Sequence, residues 1–297
     1  MTPNSRGAIF MMLSMSAFTL NDTCMKALSD QIPLFQAIFL RGIFTSAILA
    51  AVAVRLGVFR AALPRRDWVL VGIRSIAEVA AAYFFISALY KMPIANVSAI
   101  LQALPLTVTL AGALFFREQV GWKRLLAILV GFLGVLLIVK PGAEGFNSYS
   151  VFAVISVIAV TIRDLAARRL SHHVPSMTVA LSAAVLVTAF GGLGALSEPW
   201  VTVGRLEALQ LAGTVFFVIG GYLFSVMAMR VGEISVVAPF RYFSLLCALI
   251  LGLLVFGEWP DSLTLIGSAI VVATGVFTFY RERRLQRSYG PVGLRIR

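Results

Sequence analysis

Residues 234–256 form an apolar run of about 23 residues, long enough to cross the roughly 30 Å hydrocarbon core of a membrane as one helix. The run contains two residues that a lipid-facing helix tolerates poorly. Pro239 lacks a backbone N–H donor, and Arg241 is costly to place in lipid. A Gly-Glu-Trp-Pro-Asp corner follows at residues 257–261. The segment therefore predicts a membrane-spanning helix that packs inside a helix bundle.

The same design occurs 140 residues earlier in the chain. Aligning Glu118 with Glu258 (258 − 118 = 140) superposes further identical residues without a gap. These pairs are Phe84/Phe224, Ala88/Ala228, Ile94/Ile234, Val97/Val237, Gly112/Gly252, Leu114/Leu254, Phe116/Phe256 and Leu125/Leu265. Single apolar identities arise by chance, but a shared register that ends in the same glutamate indicates two copies of one unit.

Composition excludes an ordinary soluble protein, because 60% of the 297 residues are hydrophobic, against about 45–50% in soluble domains. The formal charge of +12 lies in short basic clusters between apolar segments, which is typical of membrane topology rather than nucleic-acid binding.

Cys24 and Cys247 lie in apolar segments without ligand spacing, so we expect neither a disulfide nor a metal site. His172-His173 has no cysteine or carboxylate at ligand spacing and predicts a solvated loop. No cofactor is expected.

The apolar runs predict an all-α membrane protein with ten transmembrane helices. The first run could be a signal peptide, but it contains Asn21 and Asp22 and lacks a small-residue cleavage site, which favours a span. The ten predicted spans are 7–27, 33–54, 67–90, 93–116, 121–140, 148–168, 176–196, 207–229, 234–256 and 262–280.

The distribution of basic residues predicts that both termini are cytoplasmic. In that orientation 18 lysines and arginines fall on the cytoplasmic side and 4 on the outer side, as the positive-inside rule requires. The tryptophans agree with an interfacial belt, since Trp68 and Trp122 fall at cytoplasmic span ends and Trp200 and Trp259 at outer ones.

An odd number of spans per copy forces the second copy into the membrane with the opposite orientation. We therefore predict two inverted five-helix repeats, which can open to either side in turn. The first repeat covers residues 1–140 and the second 141–282, followed by a basic cytoplasmic tail at 283–297.

Five ionisable side chains fall well inside the predicted spans, and each costs roughly 2.5–3.5 kcal/mol at mid-membrane. They must face the bundle interior, one another or a wet cavity. These residues are Asp22, Arg41, Arg74, Glu78 and Arg241.

Each of these charges has two open interpretations. Asp22 forms an i,i+4 ion pair with Lys26 or, together with Asn21, lines a cavity, whereas mutual neutralisation is favoured for Arg74 and Glu78. Arg41 needs either a carboxylate from another helix, Asp22 or Glu78, or a carboxylate on a substrate. Arg241 either extends toward the cytoplasm or binds such a substrate.

Polar, aromatic and proline residues mark spans 4, 8 and 9 as further candidates. Gln102 and Pro105 lie on one face of span 4 that serves either helix packing or a cavity wall, and the repeat register places Tyr242 opposite Gln102. Pro105 and Pro239 free carbonyls in mid-span, which predicts a gating role. Tyr222 follows Gly220-Gly221, where close helix packing is favoured over ligand contact.

The two copies resemble the tandem EamA domains of the drug/metabolite transporter superfamily. The resemblance covers nearly the whole chain, and the residues that carry it are Leu104-Pro105-Leu106, Phe116-Arg117-Glu118, Ala238-Pro239, 256–261, Gly267 and Gly275. It implies ten helices in two inverted repeats around a central cavity lined by spans 1, 3, 4, 6, 8 and 9. It also implies a place in the inner membrane of a bacterium.

We therefore expect an alternating-access transporter of small carboxylate-bearing metabolites, amino acids first, with export favoured. The alternative is an uptake carrier for a larger metabolite such as riboflavin or S-adenosylmethionine. An intramembrane enzyme or a non-transporting scaffold is less consistent with this sequence, which shows no catalytic constellation but has buried charges and mid-span prolines. The expected partners are a small-molecule metabolite, the lipid bilayer and, as one option, a coupling proton, but no nucleic acid.

Overall fold

The protein is described by a computed structural model that covers residues 2–55, 63–116, 121–141, 146–171 and 173–289. Glu118, His172 and the tail beyond residue 289, all named above, lie outside the described residues. The described residues form helices joined by short connections, which confirms the all-α membrane fold. The helices are α1 (Pro3–Ala27), α2 (Leu34–Arg55), α3 (Arg65–Lys91), α4a (Ile94–Leu101), α4b (Leu104–Phe116), α5 (Trp122–Val139), α6 (Tyr149–Arg168), α7 (Ser176–Ala195), α8 (Arg205–Val231), α9a (Ile234–Val237), a 3-10 turn (Ala238–Tyr242), α9b (Phe243–Phe256) and α10 (Ser262–Tyr289).

Nine spans in the described part of the chain are long and apolar enough to cross a membrane by themselves: α2, α3, α4a–α4b, α5, α6, α7, α8, the 3-10 turn with α9b, and α10. The remaining helix, α1, carries the polar residues Asn21, Asp22 and Lys26. Its buried face packs most extensively against α8. Protein therefore covers the side of α1 that lipid would reject.

Prolines determine where several helices begin and where two of them break. Pro64, Pro93 and Pro175 immediately precede α3, α4a and α7, in the extended conformation that favours a helix start. Pro105 is the second residue of α4b, after the break at residues 102–103, and Pro239 lies in the 3-10 turn that interrupts α9. The two interrupted helices are the equivalent fourth helices of the two repeats.

The most extensive helix contacts all join the first five helices to the last five. α1 packs on α8 and α3 on α6, while α2 packs on α7 and α5 on α10. In the repeat, α1 corresponds to α6 and α3 to α8, so the α1–α8 and α3–α6 contacts are equivalent. The α2–α7 and α5–α10 contacts each join a helix to its own counterpart. At the α5–α10 seam, a Cβ at Gly134 would lie 2.9 Å from the Gly267 carbonyl oxygen, so the backbones touch.

The orientation of the helices in the membrane remains a prediction from the basic residues. We call the side on which α1 begins the N-terminal face and the other side the opposite face. In a variant without native cysteines, a cysteine at exposed Ser262 should react with an impermeant maleimide on intact cells, because it lies at the opposite face. A cysteine at exposed Glu233 should react only after permeabilisation. Labelling of both positions from one side would show that α9 does not cross the membrane, and reversed labelling would refute the orientation.

Candidate functional site

Polar side chains from six helices face one space in the centre of the bundle. The central site consists of Asp22 (α1), Arg41 (α2), Arg74 and Glu78 (α3), Arg163 and Asp164 (α6), Tyr222 (α8) and Arg241 (3-10 turn of α9). Tyr222 is 58% exposed, yet it interacts electrostatically with Arg41, Glu78 and Arg163. Its helix α8 does not pack extensively on α3 or α6. These groups therefore face each other across an open space.

Glu78 is the centre of an ion-pair network on the N-terminal side of the site. Its carboxylate lies 3.2 Å from Arg163 Nη1 and 3.6 Å from Arg74 Nη2. Arg163 also forms an ion pair of 2.9 Å with the adjacent Asp164. The pairing of Arg74 with Glu78 expected from the sequence is present, and α6 adds a second arginine to it. Arg241 faces this network, because it interacts electrostatically with Asp164 and Arg163.

Arg41 and Asp22 lie on the other side of the site, toward the opposite face. Asn21 donates a hydrogen bond of 2.8 Å from Nδ2 to Asp22 Oδ1. Arg41 interacts electrostatically with Asp22, Glu78 and Tyr222 but forms no direct ion pair with a described carboxylate. The Asn21 Oδ1 atom is buried and has no hydrogen-bond partner among the described residues. This end of the site thus retains donors and an acceptor for a ligand.

Gln102 connects the two interrupted helices. Its Nε2 donates to Ser244 Oγ at 2.7 Å, and Ser244 Oγ donates to the carbonyl oxygen of Arg241 at 3.1 Å. Gln102 lies at the break in α4, and Arg241 lies in the 3-10 turn that follows Pro239. Through the Ser244 hydroxyl, the Gln102 amide is therefore linked to a backbone carbonyl in the interrupted part of α9.

Tyr242 lies in a helix interface rather than on the central space. It is 7% exposed, and its ring fills the position opposite Gly275 of α10, where a Cβ would overlap the tyrosine hydroxyl. Tyr222, in contrast, packs edge-on against Phe18 at 5.3 Å between ring centroids and leaves most of its surface open. Of the two tyrosines named from the sequence, Tyr222 interacts with four of the central charges, whereas Tyr242 interacts only with the adjacent Arg241.

An ion pair closes the bundle at the opposite face. Lys26, at the end of α1, lies 3.0 Å from Glu258 Oε1 and donates to the carbonyl oxygen of Met92. Glu258 Oε2 accepts a hydrogen bond of 3.2 Å from the backbone N–H of Ile94. Gly257 adopts a left-handed conformation (φ 65°) that ends α9b and directs Glu258 back toward α1. Of the two interpretations left open for Asp22, the ion pair with Lys26 is wrong, because Lys26 pairs with Glu258 instead.

A helix bundle with a polar centre, two interrupted helices and one closed end is the architecture of a membrane carrier. The chain belongs to the EamA-like transporter family, whose sequence profile matches residues 5–140 and 147–280. It is therefore a multi-pass membrane protein of a transporter family.

Named relatives transport different metabolites. An S-adenosylmethionine uptake transporter of Rickettsia conorii is 26% identical over 283 residues and covers 94% of each chain. A riboflavin transporter of Vibrio cholerae is 31% identical over 198 residues, 67% of this chain and 66% of the relative. A pseudopaline exporter of Pseudomonas aeruginosa is 24% identical over 90% of this chain and 93% of the relative. A crystal structure of another protein, 21% identical, shares the fold with a TM-score of 0.64 over 93% of this chain and 98% of that one.

Sequence reasoning missed Arg163 and Asp164 as members of the site. A shift of 142, the offset between the starts of the two family matches (147 − 5 = 142), would have found the aspartate. It pairs Asp22 with Asp164. The same shift also pairs Phe10 with Phe152, Ser14 with Ser156 and Thr19 with Thr161. The two aspartates thus occupy equivalent places in α1 and α6.

Proposed function

We propose that this protein is an uptake carrier for a metabolite of the S-adenosylmethionine type, a flat heterocycle joined to an amino-acid end. The observation that carries the proposal is the arrangement of the central site, where charges of both signs and an open aromatic ring face one space. A bacterial inner membrane, with both termini in the cytoplasm, is the proposed location. Pro105 and Pro239 are proposed to loosen α4 and α9 during the exchange of access.

The charged groups suit the zwitterionic end of such a substrate. A guanidinium presents a fork of donors that matches a carboxylate in two hydrogen bonds. Arg41 has no direct carboxylate partner, and Arg241 is exposed to the central space. The Asp22 carboxylate and the unpartnered Asn21 Oδ1 can accept hydrogen bonds from an ammonium group. We assign Arg41 and Arg241 to the carboxylate and Asn21 and Asp22 to the amine.

The aromatic group suits the heterocycle. The ring of Tyr222 packs nearly perpendicular to that of Phe18 and is 58% exposed, so much of its surface is free to contact a ligand. Aromatic rings stack on planar heterocycles with favourable energy at offset geometry. A free amino acid would leave this surface unused. Together with the named S-adenosylmethionine relatives, this surface favours the larger metabolite over the amino-acid carrier expected first from the sequence.

The test is uptake by purified protein in proteoliposomes. Radiolabelled S-adenosylmethionine, riboflavin and methionine are offered separately, and decarboxylated S-adenosylmethionine serves as a competitor that lacks only the carboxylate. We expect uptake of S-adenosylmethionine alone. A charge-assisted hydrogen bond contributes roughly 1.5–3 kcal/mol, so the decarboxylated competitor should bind about 10- to 150-fold more weakly than the parent compound.

Substitutions of the arginines test whether they bind the substrate carboxylate. Arg41→Gln and Arg241→Gln should each reduce the preference for the carboxylate. Replacing either arginine with lysine should restore part of it, because lysine keeps the charge without the fork. Arg230→Gln is the matched control, since Arg230 is exposed at the end of α8 and outside the central site. Equal competition by both compounds in the wild type would refute the carboxylate assignment. Uptake of riboflavin alone would place the protein with carriers of neutral metabolites, and uptake of methionine alone with amino-acid carriers.

A further inference from the structure

Three arginines converge on one cavity at the N-terminal face. Arg65 and Arg66 belong to the first turn of α3, and Arg169 follows the end of α6. The cavity has a volume of about 380 Å³, and the rest of its lining is Val69 and Leu70. It is therefore basic on one side and apolar on the other.

Contacts between α3 and the loop after α6 build this cavity. Ser171 donates to Asp67 Oδ1 from its backbone N–H (3.3 Å) and from its hydroxyl (3.1 Å). Beneath these hydrogen bonds, Val71 of α3 packs against Val174 and Val179. Because Asp67 follows Arg66 directly and Ser171 lies two residues after Arg169, the same contacts fix the three arginines relative to one another.

The positive charge of this cavity is not neutralised by described residues. Arg65, Arg66 and Arg169 form no ion pair with a described carboxylate. The nearest acid in sequence, Asp67, is 1% exposed, and its Oδ1 is engaged by Ser171. The Arg169 guanidinium lies over the ring of Phe116 at 4.7 Å, which orders it without reducing its charge.

The cavity lies at the level where lipid headgroups meet acyl chains. Trp68, next to Asp67 on α3, is 51% exposed, and Trp122 of α5 on the same face is 70% exposed. Exposed tryptophans mark the membrane interface. Val69 is 55% exposed, so the apolar side of the cavity continues onto the lipid-facing surface of α3.

We infer that this cavity binds the headgroup of an anionic phospholipid. The arginines bind the phosphate oxygens, for which a guanidinium fork is well matched. The glycerol and the start of the acyl chains lie along Val69 and Leu70. The occupant is a membrane lipid rather than free phosphate, because an apolar wall that opens toward the acyl chains offers nothing to an inorganic ion.

The test is native mass spectrometry of the purified full chain titrated with dioleoylphosphatidylglycerol, dioleoylphosphatidylcholine or inorganic phosphate. We expect at least one tightly retained phosphatidylglycerol and weaker retention of phosphatidylcholine. Each arginine near a membrane surface contributes about 1 kcal/mol, so the triple variant Arg65→Gln/Arg66→Gln/Arg169→Gln should bind about 100-fold more weakly. The control triple variant Arg6→Gln/Arg55→Gln/Arg230→Gln removes the same charge from exposed positions on the same face and should stay within about threefold of the wild type.

Three results would overturn the inference. Equal losses in both triple variants would indicate diffuse surface charge. Equal retention of phosphatidylcholine and phosphatidylglycerol would show that the net negative charge of the lipid does not contribute to binding. Displacement of the lipid by inorganic phosphate at the same concentration would assign the cavity to the free ion. If the cavity triple variant does not fold, the single variant Arg66→Gln should weaken phosphatidylglycerol binding about fivefold, and no weakening would count equally against the site.

Discussion

Replacing Glu78 with glutamine is expected to lower the thermal stability of the protein more than any other single substitution in the central site. Glu78 lies between Arg163 at 3.2 Å and Arg74 at 3.6 Å, and both arginines are largely shielded from solvent. Arg163 retains its ion pair with Asp164, but Arg74 loses its pairing with Glu78. These side chains are 20–25% exposed, so the cost lies between about 0–1 kcal/mol for an exposed pair and about 3–5 kcal/mol for a buried one, and we expect Tm to fall by about 5 °C. The measurement is thermal unfolding in detergent.

A second substitution tests whether the loss of stability comes from the unpaired charge of Arg74 or from a general loss of packing. The double variant Glu78→Gln/Arg74→Gln should recover part of the lost Tm, because it removes the arginine left without a partner. Glu207→Gln, which changes the same group in the first turn of α8, should leave Tm nearly unchanged. If the double variant melts below Glu78→Gln by the full effect of Arg74→Gln alone, the two residues are independent and the network is not a unit.

Replacing Lys26 with methionine is expected to open the opposite face. Methionine keeps an apolar stem of similar length but cannot pair with Glu258 or donate to the Met92 carbonyl oxygen. Loss of a charge-assisted hydrogen bond of about 1.5–3 kcal/mol shifts the ratio of open to closed states about 10- to 150-fold. A cysteine at the buried position Asn21, in a variant without native cysteines, reports the change through its rate of labelling from that face.

The matched control for this experiment is Lys140→Met. Lys140 also forms an ion pair at the opposite face, with Asp261, but Asp261 is 54% exposed and the pair joins the end of α5 to the start of α10. Exposed pairs contribute about 0–1 kcal/mol, so labelling at position 21 should change little. Equal labelling rates in the wild type and in Lys26→Met would mean that the Lys26–Glu258 pair only supports the fold and does not hold the face closed.

The positions of the membrane helices could be predicted from the sequence because a bilayer imposes a local requirement. About 20 consecutive apolar residues suffice to indicate a span, whatever the helix packs against. The span expected at 33–54 is the helix Leu34–Arg55. The prolines expected to disturb spans 4 and 9 do coincide with the breaks in α4 and α9. Each of these features depends only on neighbouring residues.

The partners of the charged residues could be predicted only where they were close in sequence. The i,i+4 rule found Arg74 with Glu78 but gave Lys26 the wrong partner. Glu258 is 232 residues from Lys26 (258 − 26 = 232), and its direction depends on the left-handed turn at Gly257. Arg163 was one of the 18 basic residues assigned to the cytoplasmic side, because its contact with Glu78 requires α6 to pack on α3.

The alignment of the two repeats did not predict the surroundings of Tyr242. Aligning the halves placed this ring opposite Gln102, which made it a candidate for the binding site. In the structure, Gly275 of α10 leaves a notch that the ring fills, so the tyrosine packs between helices. Two copies of one unit therefore share a backbone plan, while small residues in neighbouring helices decide where an individual side chain points.

Each of the four most extensive helix pairs joins one half of the chain to the other, which affects how the protein is assembled during its synthesis. When the ribosome has delivered the first 140 residues, α1, α3 and α5 are already in the membrane, but their main partners α8, α6 and α10 have not been synthesised. Until then, the first five helices are in the lipid as loosely associated segments, and the polar residues of α1 and α3 lack their partners. Biogenesis of this carrier is therefore completed only with α10, whose Gly267 closes the seam against Gly134.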